Sequence, residues 1–143
     1  MGSSKADVEV SYDVSNEFFR LWLDERMNYT CAVYETPDQP LEAAQLNKLE
    51  ILSEFAKVTP EKRVLDVGCG WGACLEYLAT ARKVKQAVGV TLSTEQAKEV
   101  NDRKIPGVTV IGADTVDARD LAGVDLFGLL GREGDPNGVF HVS

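Results

Sequence analysis

Apolar residues recur along the chain with two different periods, and the change between them divides it. Up to about residue 57 the spacing is helical. Phe18, Phe19, Trp22 and Leu23 stand at i, i+1, i+4 and i+5 behind Ser15, which can cap a first turn, and they predict a short helix. A stretch carrying Tyr29, Cys31 and Tyr34 reads as irregular and is punctuated by Pro37 and Pro40. A second helix is predicted over residues 41–56, with Leu46, Leu49, Leu52 and Phe55 as its buried face. Glu42 lies near the positive end of its dipole. From Thr59 and Pro60 onward the period shortens. Residues 63–67 read as an apolar strand, 68–72 as a glycine turn, and 73–82 as a helix with Leu75, Leu78 and Ala79 inward. Residues 86–92 form a second strand, whose Ala87, Val88 and Val90 suit a buried parallel sheet. Ser93 and Gln96 have the spacing of a capping box and open a helix to about Arg103. Residues 108–111 make a third strand. This alternation predicts an α/β fold, the open half of a doubly wound, Rossmann-like sheet.

The last part has a different character. Seven of the 12 glycines lie between Gly107 and Gly138, so turns dominate there and no later helix is signalled. Residues 124–130 are the one remaining strand-like run. Doubly wound sheets carry roughly five to seven strands, so this one reads as truncated. We therefore expect residues 1–57 to form an N-terminal helical cover and 58–143 a partial Rossmann-like domain, atypical after about residue 112. An edge left by missing strands invites a completing partner chain or a homo-oligomer.

Composition narrows the function classes. With 143 residues, 44% hydrophobic and 27% charged, the chain is one soluble domain with little room for a second. No run approaches the ~18 apolar residues of a membrane span, so no integral membrane segment is expected. The first ten residues hold no apolar signal region. Three cysteines, Cys31, Cys69 and Cys74, are too few and too odd a count for a disulfide scaffold, which places the expectation in a reducing cytoplasm. With one histidine, a structural zinc site lacks ligands. A formal net charge of -8 argues against nucleic acid and anionic membrane surfaces as tight partners.

The strongest chemical signal is Asp66-Val67-Gly68-Cys69-Gly70-Trp71-Gly72, directly between a predicted strand and a predicted helix. Glycines there permit positive φ and close backbone approach to a ligand, and the helix start offers free N–H groups. A dinucleotide fingerprint would also require an acidic residue about 20 positions on, for a ribose hydroxyl. The second strand instead ends at Thr91, Leu92 and Ser93, with no carboxylate before Glu95. A methionine-derived nucleoside without a pyrophosphate suits this turn better, and a nicotinamide cofactor is a distant alternative.

Several linked motifs carry a resemblance. Residues 12–24 (YDVSNEFFRLWLD), 28–35 (NYTCAVYE), 41–45 (LEAAQ), 64–72 (VLDVGCGWG) and 88–96 (VGVTLSTEQ) resemble the cyclopropane-fatty-acid and mycolic-acid cyclopropane synthase family. The likeness runs in order from about residue 11 to 110. It implies a class I methyltransferase sheet, S-adenosylmethionine as cofactor, and methyl transfer to an alkene carbon of an apolar substrate. The leading substrate is an unsaturated fatty-acyl chain, with a polyprenyl or other small alkene as competitor. By resemblance, Tyr29 and Thr30 line the methionine end of the cofactor. Asp66, Val67, Gly68, Cys69, Gly70, Trp71 and Gly72 form its glycine loop, and Thr91, Leu92, Ser93 and Gln96 surround the adenosine. Cys31 matches a cysteine that helps hold a bicarbonate ion, the family's proposed general base.

The bland readings sit beside these. Residues 91–96 cap a helix in any case. Cys31 has no basic neighbour in sequence to activate its thiol, so it enters an anion site through backbone or packing. Cys69 and Cys74 read as packing, and His141 as solvated in a turn-rich tail. The family continues after its third strand with an acidic segment and a strand ending in a Glu-His pair; here residues 114–120 and 124–130 keep only a faint trace of these, and no Glu-His pair appears. A shortened product, a rearranged tail and a fragment of a longer enzyme all fit that departure. A non-catalytic cofactor-binding module is the rival reading.

Overall fold

The computed structural model describes residues 16–115 and the short strand Asp125–Phe127. In chain order the elements are α1 (Asn16–Arg20), α2 (Leu41–Phe55), β1 (Arg63–Val67), α3 (Ala73–Thr80), β2 (Gln86–Thr91), α4 (Thr94–Asp102) and β3 (Val108–Gly112). A 3-10 turn (Ala113–Thr115) and β4 (Asp125–Phe127) follow. The four strands make one parallel sheet in the order β3-β2-β1-β4. Val67 pairs with Val90, and Thr91 with Gly112, so β1, β2 and β3 finish along a common edge. Strand order reverses between β1 and β4, the place where an open α/β sheet leaves a crevice at its carboxyl ends. The predicted Rossmann-like half-sheet is what the chain forms.

The core explains why these segments pair. Leu49 of α2, Leu75 and Leu78 of α3, Val64, Ala87, Val100 and Val110 form one buried cluster across helices and sheet. At Gly89 in β2, a Cβ would stand 2.6 Å from Leu75 Cδ1 and 2.7 Å from Cys69 Sγ. Only a residue without a side chain lets α3 and the glycine turn pack that closely on the strand.

The three longer helices stop in the same way. Lys57, Lys83 and Lys104 take φ of 51°, 59° and 50°, and each is followed by an apolar residue (Val58, Val84, Ile105) that packs on the core. The N–H of Val58 donates to Ser53 O at 2.9 Å and that of Val84 to Leu78 O at 3.0 Å, the closure glycine usually makes possible. No glycine marks these ends, which is why the sequence reading carries α3 to Arg82 while the helix stops at Thr80.

One expectation about faces needs correction. Phe55 is 68% exposed, although its spacing places it with Leu49. It sits in the last turn, where the chain turns off into Lys57 and Val58, and Val58 takes the inward place. On α1 Phe19 is buried and Phe18 about half exposed, and Trp22, just past the helix, is about half exposed as well. The predicted cap at Ser15, His141 and nearly all of the glycine-rich tail lie outside the described residues. Among the described residues no helix is long and apolar enough to cross a membrane.

Candidate functional site

The glycine turn follows β1 and is held by its neighbour strand. The N–H groups of Gly68 and Cys69 both donate to Val90 O, at 2.8 and 3.1 Å, and Gly72 N–H closes the turn on Cys69 O at 2.9 Å. Gly68, Gly70 and Gly72 have φ of 81°, 53° and 75°, so the backbone curls left-handed three times in five residues. The three glycines do different work. Among the described residues a Cβ at Gly68 or Gly70 would meet nothing within 4 Å, whereas one at Gly72 would lie 2.9 Å from Val100 Cγ1. Gly72 is therefore a packing glycine that seats α3 on α4. Gly68 and Gly70 present bare backbone to open space, the cradle a ligand needs.

Trp71 is fixed from every side. Its buried ring lies 4.7 Å from Phe19 and 6.4 Å from Tyr29, centroid to centroid. Its Nε1 donates to Asn16 Oδ1 at 2.8 Å, and its carbonyl accepts from Arg103, which also reaches Glu76 at 2.7 Å. Asn16 in turn donates to Glu99, which pairs with Arg20 at 2.6 Å. In this way α1 and Arg103, just past the end of α4, both grip the middle of the turn. Sequence reasoning assigned no role to Arg103 or Glu99, because no local pattern distinguishes them from the solvated charges around them.

Two buried polar atoms near the turn have no hydrogen-bond partner among the described residues: Asp66 Oδ1 and Gln96 Nε2. Asp66 ends the buried part of β1 at 1% exposure, and burial pushes its carboxyl up to about 7. Gln96 is reached through the end of β2. Thr91 Oγ1, also buried, donates to Gln96 Oε1 at 2.6 Å and accepts from Ser93 N–H at 3.3 Å, while Ser93 Oγ caps Gln96 N–H at 3.2 Å. The predicted capping box is thus half formed. Thr91 takes the Ser93 N–H that Gln96 Oε1 would have accepted, and Oε1 accepts from the Thr91 hydroxyl instead; Gln96 Nε2 has no partner among the described residues. Buried polar groups are seldom left unpaired. An orphan carboxyl oxygen and an orphan amide donor flanking a bare glycine turn fit a ligand with hydroxyl and ammonium groups. Leu92 and Val67 are about half exposed at the same edge.

The remaining predicted residues lie on the segment before α2. Tyr29 is 49% exposed, with its ring 5.4 Å from Phe19 and 5.3 Å from Trp22, so it joins the aromatic group over Trp71. Thr30 is exposed, and its hydroxyl accepts from Lys48 Nζ at 2.7 Å. Cys31 is exposed and free, whereas Cys69 and Cys74 are buried. Burial raises both buried thiols, which makes them unreactive packing groups. Among the described residues no group of three His, Cys, Asp or Glu could hold a metal ion.

Comparison with known proteins agrees with this geometry. The family described as mycolic acid cyclopropane synthetase matches residues 2–122. A probable fatty acid methyltransferase of Pseudomonas putida is 40% identical over 116 residues, covering 80% of this chain and 29% of that protein. The probable fatty acid methyltransferase Rv3720 of Mycobacterium tuberculosis is 47% identical over 87 residues, or 61% of this chain and 20% of its own. Mycolic acid cyclopropane synthase CmaA1, solved in complex with SAH and CTAB, superposes with a TM-score of 0.72 at 33% identity over 82% of this chain and 43% of that one. The chain spans 20–32% of the curated relatives it matches. With the sheet order, the glycine turn and a family match over most of its length, the chain belongs to the mycolic acid cyclopropane synthetase family.

Proposed function

We propose that the chain supplies the cofactor-binding part of an S-adenosylmethionine-dependent methyltransferase that alkylates a carbon–carbon double bond of an apolar substrate. The observation that carries this reading is the turn itself: Gly68 and Gly70 expose backbone to open space beside the orphaned Asp66 Oδ1 and Gln96 Nε2. In this reading Gly68 and Gly70 allow close approach of the cofactor, and Asp66 faces its ammonium group. Gln96, with Thr91, Leu92 and Ser93 around it, donates to a ribose hydroxyl. Tyr29 and Thr30 flank the methionine end, and Cys69 and Gly72 serve the turn's shape. Residues 1–57 form a cover whose α1 docks on Trp71.

When bound, S-adenosylmethionine supplies a methyl group on an already activated sulfonium. The chain's own residues need only position it and exclude water, which the aromatic group of Phe19, Trp22, Tyr29 and Trp71 is suited to do. Cys31 is exposed with the buried ammonium of Lys48 in electrostatic reach, a setting that favours an anion such as bicarbonate, which would supply a base.

The proposed substrate is an unsaturated fatty-acyl chain. Relatives named as probable fatty acid methyltransferases and the neighbour solved with SAH and CTAB support it. A second reading, a cofactor-binding piece that acts only with a completing chain, is favoured by the sheet itself, which among the described residues has four strands where doubly wound sheets carry about five or six. The test is incubation with methyl-labelled cofactor and either unsaturated phospholipids or prenyl diphosphates. Label on a carbon of the acyl chain is expected. Label on nitrogen or oxygen would refute carbon methylation, label on a prenyl carbon would refute the acyl substrate, and transfer by the purified chain alone would refute the second reading.

A further inference from the structure

Helix α2 turns an unusual face to the protein. Lys48 is 6% exposed and Gln45 3%, yet neither residue type is commonly buried, since a desolvated ammonium is costly unless it is used. Both point at the same target. Lys48 Nζ donates to Thr30 Oγ1 at 2.7 Å and to Gln45 Oε1 at 2.6 Å, and Gln45 Nε2 donates to Thr30 O at 2.9 Å. The three bonds close a ring that holds Thr30 by its hydroxyl and its carbonyl at once. Among the described residues the ammonium's hydrogen-bond partners are neutral oxygens; Asp24 is in electrostatic reach, but its two oxygens are taken by Asn28 N–H at 2.6 Å and Asn28 Nδ2 at 2.8 Å.

The segment so gripped has no regular structure of its own. Residues 31–34 form neither helix nor strand, and their backbone is tied to α2 by further bonds: Val33 N–H donates to Ala44 O at 3.2 Å, and Asn47 Nδ2 to Val33 O at 3.3 Å. A loop without ladder bonds keeps one conformation only if something outside it supplies them. Burying this ammonium carries a desolvation cost, and the hydrogen bonds that offset it run to Thr30 and Gln45, so the charge is tied to the conformation of the loop.

We propose that Lys48, with Gln45 as its relay, is the positioning residue that sets the conformation of Tyr29, Thr30 and Cys31 at the amino-acid end of the cofactor site. The proposal rests on the reading that this segment lines that end. It differs from a structural role in one respect: its effect is confined to ligands that carry the amino-acid moiety.

The test compares S-adenosylhomocysteine with 5′-methylthioadenosine, which has the same nucleoside and no amino-acid end, by calorimetric titration of the purified chain. Lys48→Met should weaken S-adenosylhomocysteine about tenfold, the size of one lost charged hydrogen bond, and leave methylthioadenosine within twofold. Lys48→Arg, which keeps the charge, should recover at least part of the loss. If Lys48→Met does not fold by circular dichroism, Gln45→Leu, which frees the Thr30 carbonyl, should show the same selective loss. Equal loss for both ligands, or no loss for either, would overturn the proposal while leaving the cofactor reading intact. A wild-type chain that binds neither ligand would overturn the cofactor reading, and the proposal with it.

Discussion

Replacing Asp66 by asparagine should change how stability depends on pH. The carboxyl is buried, its Oδ1 has no partner among the described residues, and burial alone raises it from 3.8 to about 7. Between those two values the folded chain holds a proton that the unfolded chain has released. Stability therefore falls as pH rises: the contribution is fully present below about pH 4 and is lost as pH climbs through about 7. From pH 5 to about 7 the native state holds a proton that the unfolded state has released, a span of about two pH units. At ~1.4 kcal/mol per unit this is about 3 kcal/mol. Asp66→Asn keeps the shape and removes the titration. Urea melts of both proteins at pH 5 and pH 8 give the comparison, with other groups cancelling in the double difference. The wild type should lose about 3 kcal/mol more than the variant between these pH values. Equal losses would show that Asp66 is already ionised in the folded chain, and the account of an unpaired buried carboxyl would fail.

Other substitutions separate the roles of individual positions. Gly72→Ala should destabilise by about 1–3 kcal/mol more than Gly68→Ala in urea melts, because its Cβ meets Val100 at 2.9 Å while both positions share the positive φ. Equal costs would remove the packing role of Gly72. Leu75→Ala, at 0% exposure in the main cluster, should cost about 2–5 kcal/mol, whereas Phe55→Ser should stay within about 0.5 kcal/mol. A large loss from Phe55→Ser would mean that its exposed position is not the one it holds in solution. If Asp66 faces the cofactor's ammonium, S-adenosylhomocysteine binding should tighten from pH 5 to 8 in the wild type and be flat over that range in Asp66→Asn. A flat wild-type profile would argue that the carboxyl lies outside the cofactor's reach.

The sheet and its turn were legible because their signals are local. Residues 63–67 and 86–91 are short apolar runs, and three alternate glycines permit what other residues resist. The role of Lys48 and Gln45 was not. Three residues apart on α2, they share a helical face with Leu41 and Leu52, but polarity assigns them to solvent, and only the loop packed against them reverses that assignment. Helix ends were overrun for a related reason, since lysine in a left-handed conformation leaves no mark in the sequence. Phe55 failed in the opposite sense: its spacing suits the core, but the helix ends beneath it and Val58 fills the space.

The central claim, that this turn holds a methionine-derived nucleoside, is tested most directly by titrating S-adenosylhomocysteine into the wild-type chain and into Gly70→Val. Among the described residues no atom lies within 4 Å of a Cβ at Gly70, so a side chain there blocks the ligand and not the core, although φ of 53° adds some backbone strain. Circular dichroism establishes that the variant is folded. The account predicts saturable binding to the wild type and none to folded Gly70→Val. Equal binding by both proteins, or none by the wild type, would contradict it.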